Sequence, residues 1–311
     1  MNRHVTVGLD DSTESHAAAA WAAREAASRG VALRVVHVEE WPITPEIPLT
    51  LTEALVERYE TLLREAAERA RRDHPGLDVT TEMVHGRAGA ELTRAADEAE
   101  VMALGSRGLG GFVGFLVGSV SLAVVAASTR PVVLVRAERP GAEAGATESA
   151  GARPEQASAG RGGRRRWPRR GRHRGGPATS PDVVLGLDIA HPSDPLLDFA
   201  FGTAARRNLP LRVVTAEMVT GPAGLRAAAK AEGLIGTAPR AGGADGSAPG
   251  GRVVEKVVVG PAARELVHAS RGAELLVVGR RGRRPALPHL GHVAHAVIHH
   301  SSAPVAVVPL A

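Results

Sequence analysis

The chain has 311 residues, of which 44% are apolar and only 3% aromatic, and it has no cysteine. That length suggests two domains with cores of Val, Leu and Ala, and the missing cysteine excludes disulfides and cysteine-bound zinc. The formal charge of +5 is concentrated in residues 137–180, which hold ten Arg against four Glu, so the remainder is close to neutral and offers no basic binding face.

In chain order, Val5–Leu9 reads as a short apolar strand ending at Asp10 and Asp11. Ser12 or Thr13 can cap a helix over Ala17–Ser28, which Gly30 closes. Leu33–Val38 is a second strand, followed by a loop with Pro42, Pro45 and Pro48. Leu51–Arg72 is a long amphipathic helix with Leu55, Leu62, Leu63 and Ala66 near one stripe. Leu77–Val84 is a third strand, Ala88–Glu98 a helix and Val101–Leu104 a buried strand. A glycine-rich loop leads from there into a helix over Ser119–Ala127, and Val132–Val135 is the last strand of this half. Strands alternating with helices predict an α/β domain with a parallel sheet covered on both faces. The apolar stretch Phe112–Ala127 is too short for a membrane span and is interrupted by Gly114 and Gly118. Asp10 and Asp11 stand where a signal peptide needs an apolar run, and with the missing cysteine this predicts a cytoplasmic protein.

Residues 138–180 are rich in Gly, Ala, Pro, Ser and Arg and have too little apolar content for a core, so a disordered linker is expected there. Arg161–Arg174 contains eight arginines and can bind polyanions, or it can serve only as a solvated spacer.

Beyond the linker the pattern repeats. Val7–Asp10 recurs as Leu185–Asp188, and Leu33–Val36 as Leu211–Val214. Gly86, Glu91, Leu92, Ala95 and Gly105 recur as Gly260, Glu265, Leu266, Ala269 and Gly279, and Pro131 recurs as Pro304. Collinear matches of this kind indicate a tandem duplication. The glycine loop reads Gly105-x2-Gly108-x9-Gly118-Ser119 in copy one and Gly279-x2-Gly282-x8-Gly291-His292 in copy two. The second loop is one residue shorter, has His in place of Ser, and carries Arg283, Arg284, Pro285 and Pro288. The counterpart of the long helix, Gly221–Gly251, is rich in Gly and Ala, which predicts a short helix and then a loop.

Strand, glycine loop and helix N-terminus together suit an anion, because backbone N–H groups approach its oxygens without a Cβ in the way. Ser119 and Ser121 can add hydroxyl donors. Without a following Gly-Lys-Ser/Thr this is not a Walker loop. Asp10 can accept from ribose hydroxyls or hold a phosphate-bound Mg²⁺, or act as a local turn carboxylate. Arg107 can neutralise phosphate or remain a solvated loop residue. His292, His295 and His299 share a helix face, where a solvated face is favoured over a zinc site. No nucleophile–base pair stands out.

The loop spacing in its strand-to-helix context is similar to the ATP-binding motif of the universal stress protein family, and the whole chain outside the linker resembles that family. The resemblance implies two tandem Rossmann-like domains, residues 1–137 and 181–311, each with five parallel strands in the order 3-2-1-4-5. It implies ATP, with Mg²⁺ held through the phosphates, in the first domain only. There it points to Gly8, Asp10, Val38 (through its backbone, toward adenine), Gly105, Ser106, Arg107, Gly108, Leu109, Gly110, Gly111, Gly118, Ser119, Val120 and Ser121. It also implies a nucleotide-binding regulator of stress or dormancy responses. The alternatives are a slow ATPase, or a scaffold using the Arg tract on an acidic partner. Family members commonly join their last strands across a dimer, which predicts antiparallel pairing of Val132–Val135 with Val305–Val308 as an intrachain pseudo-dimer. Dimerisation between chains remains open as well.

Overall fold

Each copy opens on the same strand–helix unit, and in each the helix stops where the backbone turns left-handed. In the computed structural model, which describes residues 3–40, 49–106, 117–137, 181–217, 253–281 and 290–310, β1 is His4–Gly8 and α1 is Thr13–Arg29. Ser12 caps α1 by accepting from the Ser15 N–H, so the helix begins a turn earlier than the apolar pattern predicts. Gly30, at φ 64°, ends it. In copy two, β6 (Val183–Gly186) leads into α5 (Asp194–Arg207), and Asn208, at φ 51°, ends that helix at the position equivalent to Gly30.

The other elements of copy one are β2 (Ala32–Glu39), α2 (Leu49–Asp73), β3 (Val79–His85), α3 (Ala88–Glu98), β4 (Val101–Gly105), α4 (Ser119–Ala127) and β5 (Val132–Val135). Copy two continues with β7 (Leu211–Glu217), β8 (Val253–Val259), α6 (Ala262–Ala269), β9 (Leu275–Arg280), α7 (His292–His300) and β10 (Val305–Pro309). The strands form one ten-stranded sheet of order β3-β2-β1-β4-β5-β10-β9-β6-β7-β8. Each half therefore runs 3-2-1-4-5 outward in, and every pairing within a half is parallel. The halves meet at β5 and β10, which pair antiparallel with Val305 opposite Leu134, Ala306 opposite Val133 and Val307 opposite Val132. All four β5 residues are buried. These strands lack the bulges or charges that blunt an open edge, so pairing with each other removes the exposed ladder.

Both faces of the sheet are covered, and each apolar layer runs through both copies. One layer holds Trp21 of α1, Leu62 of α2 and Phe199 of α5. The other holds Leu92 of α3, Val124 of α4, Leu266 of α6 and Val297 of α7. The copies also exchange side chains reciprocally. The Arg29 guanidinium lies 5.6 Å from the centre of the Phe199 ring, and that of Arg207 lies 5.2 Å from the Trp21 ring. Trp21 and Phe199 are equivalent residues of the repeat, as are Arg29 and Arg207. Glu25, fully buried between them, accepts from Arg29 at 2.7 Å and from Arg207 at 2.6 Å. Its equivalent in copy two is the neutral Thr203, so the charge centre of this contact belongs to copy one.

None of the described helices is long and apolar enough to cross a membrane. The expected linker, the proline loop at 41–48 and the Gly221–Gly251 segment lie outside the described residues.

Candidate functional site

In an open α/β sheet a ligand crevice forms at the carboxyl ends of strands where the chain leaves in opposite directions. In copy one that point lies between β1 and β4. From β1 the chain passes to α1 on one face, and from β4 it passes toward α4 on the other. A cavity of about 530 Å³ opens there. Gly8, Asp10, Val38, Gly105, Gly118, Ser119, Val120 and Ser121, all singled out from the sequence, line it together.

Their geometry separates structural from available groups. Asp10 sits past the end of β1, and its Oδ1 accepts from the Ser12 N–H at 3.2 Å and from the Ser12 hydroxyl at 2.5 Å. Ser12 in turn accepts from the Ser15 N–H at 3.1 Å. The carboxylate is thus fixed in place by the cap of α1 while remaining exposed at the cavity wall. Asp11 follows with φ 65° and turns the other way. It pairs with Arg58 of α2 at 2.7 Å and with His16 at 3.4 Å. The hydrogen bond from Arg58, and then that from His16, hold its carboxyl below the ordinary value of 3.8.

Val38 contributes through its backbone. The Val36 carbonyl accepts from the Leu9 N–H at 2.9 Å, so Val36 faces β1. Two residues on, Val38 turns its N–H and C=O to the same side, past the end of β1 and into the cavity.

Gly8 and Gly105 line the cavity, but both are needed for packing. A Cβ on Gly8 would lie 2.7 Å from Leu104 Cδ2. A Cβ on Gly105 would lie 2.7 Å from the carbonyl carbon of Glu14 and from the Ser15 nitrogen, which are backbone atoms of α1. Gly105 therefore lets α1 approach β4. Gly118 is the N-cap of α4, with φ −61° and no side-chain cap, so the first N–H groups of that helix remain available at the cavity. The Ser119 side chain is exposed in this first turn and makes no hydrogen bond among the described residues.

Two of the serines make packing bonds in this structure. Ser106 does not line the cavity: it is buried, and its N–H and hydroxyl donate to the Val135 carbonyl at 2.8 and 3.2 Å, tying β4 to β5. The Ser121 hydroxyl lines the cavity but donates to the Gly105 carbonyl at 2.9 Å, holding α4 against the end of β4. Arg107, Gly108, Leu109, Gly110 and Gly111 lie outside the described residues.

Sequence reading missed the opposite wall. His37 is buried and stacks on Tyr59 of α2, with ring centres 3.9 Å apart. Its Nδ1 lies 2.7 Å from the Leu9 carbonyl, so that nitrogen carries the proton. Its Nε2 is buried and has no hydrogen-bond partner among the described residues. Glu40 accepts from the Ala88 N–H and so caps α3, which has no side-chain cap of its own. The signals were a histidine interrupting a run of valines and the chain's one tyrosine.

Copy two builds its corresponding corner differently. The Asp188 carboxylate is engaged by Arg281 and by His191 Nδ1 at 3.2 Å. Burial works against its ionisation, but the hydrogen bonds from His191 and Arg281 hold its carboxyl below 3.8. Leu310 occupies the space beside Gly279, 2.8 Å from where a Cβ would sit. On α7, His292 and His295 are exposed, the His295 and His299 rings stand 4.4 Å apart, and Val297 is buried. Among the described residues no group of His, Cys, Asp and Glu is arranged to hold a metal ion.

A model of the universal stress protein family matches residues 1–136 and 181–309. A universal stress protein of Mycobacterium tuberculosis is 30% identical over 319 residues, covering 97% of this chain and 96% of its own. One from Mycolicibacterium smegmatis is 28% identical over 321 residues, covering 98% and 96%. The fold is also that of a universal stress protein from Archaeoglobus fulgidus, with a TM-score of 0.69 at 18% identity over 98% of each chain. The chain belongs to the universal stress protein family, as a tandem member with two copies of the family unit.

Proposed function

We propose that the protein is a cytoplasmic nucleotide-binding regulator of a stress or dormancy response, and that its first copy binds ATP. The observation that carries this reading is the convergence of fixed Asp10, the inward-facing Val38 backbone and the uncapped N-terminus of α4 on one cavity. Each group matches a part of the ligand. The open N–H groups of α4 and the Ser119 hydroxyl suit phosphate oxygens. The Asp10 carboxylate suits ribose hydroxyls or a phosphate-bound Mg²⁺. A backbone N–H and C=O at Val38 suit the hydrogen-bonding edge of adenine, with the stacked His37 and Tyr59 forming the adjacent wall. Mg²⁺ would be held chiefly through the phosphates, with Asp10 as its one protein carboxylate.

The role is regulation rather than turnover. A slow ATPase is the alternative, and it would need a group that orients the attacking water beside the terminal phosphate.

Calorimetry on Asp10→Ala and Gly118→Val tests the site. Each variant should weaken ATP binding by at least ~1.4 kcal/mol, about tenfold. Unchanged affinity in both would defeat the assignment. Phosphate release under saturating ATP tests the role, since turnover at ~1 s⁻¹ or faster places the protein among ordinary enzymes.

A further inference from the structure

A second cavity, about 1000 Å³, lies on the seam between the copies and is unrelated to the cleft at β1 and β4. Copy one contributes Arg29 and the Ser128–Pro131 turn, and copy two contributes Arg206 of α5, Arg280 of β9 and the end of β10. Arg29, Arg130, Arg206 and Arg280 line it, together with Glu100 and Asp198. Phe199, Pro131 and Leu310 supply apolar wall.

Among the described residues the positive charge of Arg29, Arg130 and Arg206 is only partly neutralised by short contacts. Glu25 gives its short contacts to Arg29 and Arg207 and leaves Arg206 at 3.5 Å. Arg29 Nη2 is buried and has no hydrogen-bond partner among the described residues. Arg29 reaches Glu100 only at 3.5 Å, and Glu100 is shared with Arg3. Arg130 is exposed, and its guanidinium makes no hydrogen bond or ion pair among the described residues. Burial, and then repulsion from Arg29, push the Arg206 pKa below its ordinary 12.5. Crowded, partly desolvated guanidiniums cost free energy that an anion between them offsets.

The repeat shows that this charge was not inherited from the common unit. Arg130 stands where copy two has Ala303, and Arg280 stands where copy one has Ser106. Arg206 likewise stands where copy one has Ser28, so three of the four arginines belong to one copy only, and Arg130 and Arg280 meet at one end of the seam because β5 pairs with β10. Arg280 reaches across to donate to the Ser128 carbonyl, which fixes the turn that carries Arg130.

We propose that this seam cavity is a binding site for a small multiply charged phosphate anion, of the size of pyrophosphate or an organic diphosphate. Its volume is at the upper end of small-molecule pockets. Paired guanidiniums match phosphate oxygens bidentately, and the apolar wall leaves room for an organic group on the anion. Because both copies contribute, an occupant ties them together.

The test is calorimetry of the full chain with inorganic pyrophosphate, in a Gly118→Val background so that the first cleft does not compete. One pyrophosphate per chain is expected. Adding Arg130→Gln or Arg206→Gln should weaken binding at least about tenfold. Arg64→Gln, on the solvent face of α2, should leave it unchanged. Arg206 also contacts Glu25, so Arg130→Gln, which removes no internal contact, carries the test if Arg206→Gln melts early. Three results would overturn the proposal: no binding, binding insensitive to Arg130→Gln and Arg206→Gln, or equal loss with Arg64→Gln. With Gly118 intact, ATP affinity should be the same with and without Arg130→Gln, so failure at one site is distinguishable from failure at the other.

Discussion

Glu25→Gln isolates the one buried carboxylate that joins the copies. Glu25 is fully buried, and its oxygens hold Arg29 and Arg207 at 2.7 and 2.6 Å, one from each copy. Glutamine keeps the shape and removes the charge, so two largely buried guanidiniums lose the carboxylate they share, leaving Arg29 with Glu100 at 3.5 Å and Arg207 with Glu274 at 2.6 Å. Breaking a buried pair in this way costs about 3–5 kcal/mol. For a folded part of this size, at ~2–4 °C per kcal/mol, the midpoint of thermal unfolding should fall by roughly 6–20 °C. The pH dependence has a definite sign. Burial is the strongest influence on Glu25 and opposes ionisation, but the charges and hydrogen bonds of Arg29 and Arg207 outweigh it and hold its pKa below 4.5. A depressed carboxyl contributes stability that is present above the unfolded pKa and lost as pH falls through the folded one. The gap between wild type and Glu25→Gln should therefore be full at neutral pH and narrow as the pH drops below 4.5. Differential scanning calorimetry of both proteins from neutral to acid pH makes the measurement. A loss below about 1 kcal/mol at pH 7, the range of exposed pairs, would refute the view that this centre holds the seam.

A nucleotide titration should saturate near one ATP per chain, because Asp188 is engaged by Arg281 and His191 while Asp10 stays at its cavity wall; two equivalent sites would contradict this. Gly105→Ala should cost about 1–3 kcal/mol, the usual cost of overpacking, because its Cβ meets α1 backbone at 2.7 Å. It should also weaken ATP binding by displacing α1 and with it Asp10, and a variant as stable and as tight as wild type would remove the packing role given to Gly105. If the tract Arg161–Arg174 binds polyanions, binding of the full chain to nucleic acid should fall steeply with salt and vanish when those residues are deleted. Binding that survives the deletion would place the activity elsewhere.

The sequence by itself determined the α/β class, the duplication and the groups that line the first cleft beside the start of α4. Those features are local: strand and helix periods, a cap at Ser12, and glycines at set distances from a strand end. The β5–β10 pairing was expected from the family resemblance, which makes Val132–Val135 and Val305–Val308 apolar sheet edges, and the structure shows them paired antiparallel. What only the tertiary structure decided are side-chain directions and contacts distant in sequence. Ser106 and Ser121 read alike as hydroxyls beside a glycine loop, yet one donates to the end of β5 and the other to the end of β4, because the fold sets each beside a strand-end carbonyl. His37 and Tyr59 become one wall only when α2 folds over β2. Glu25 looks like one more charge on an amphipathic helix until the second copy brings Arg207 against it across 182 residues of chain. A linear pattern records which face a residue occupies. It does not record which distant charge must neutralise that residue once water is excluded, and the packing of the two copies sets that.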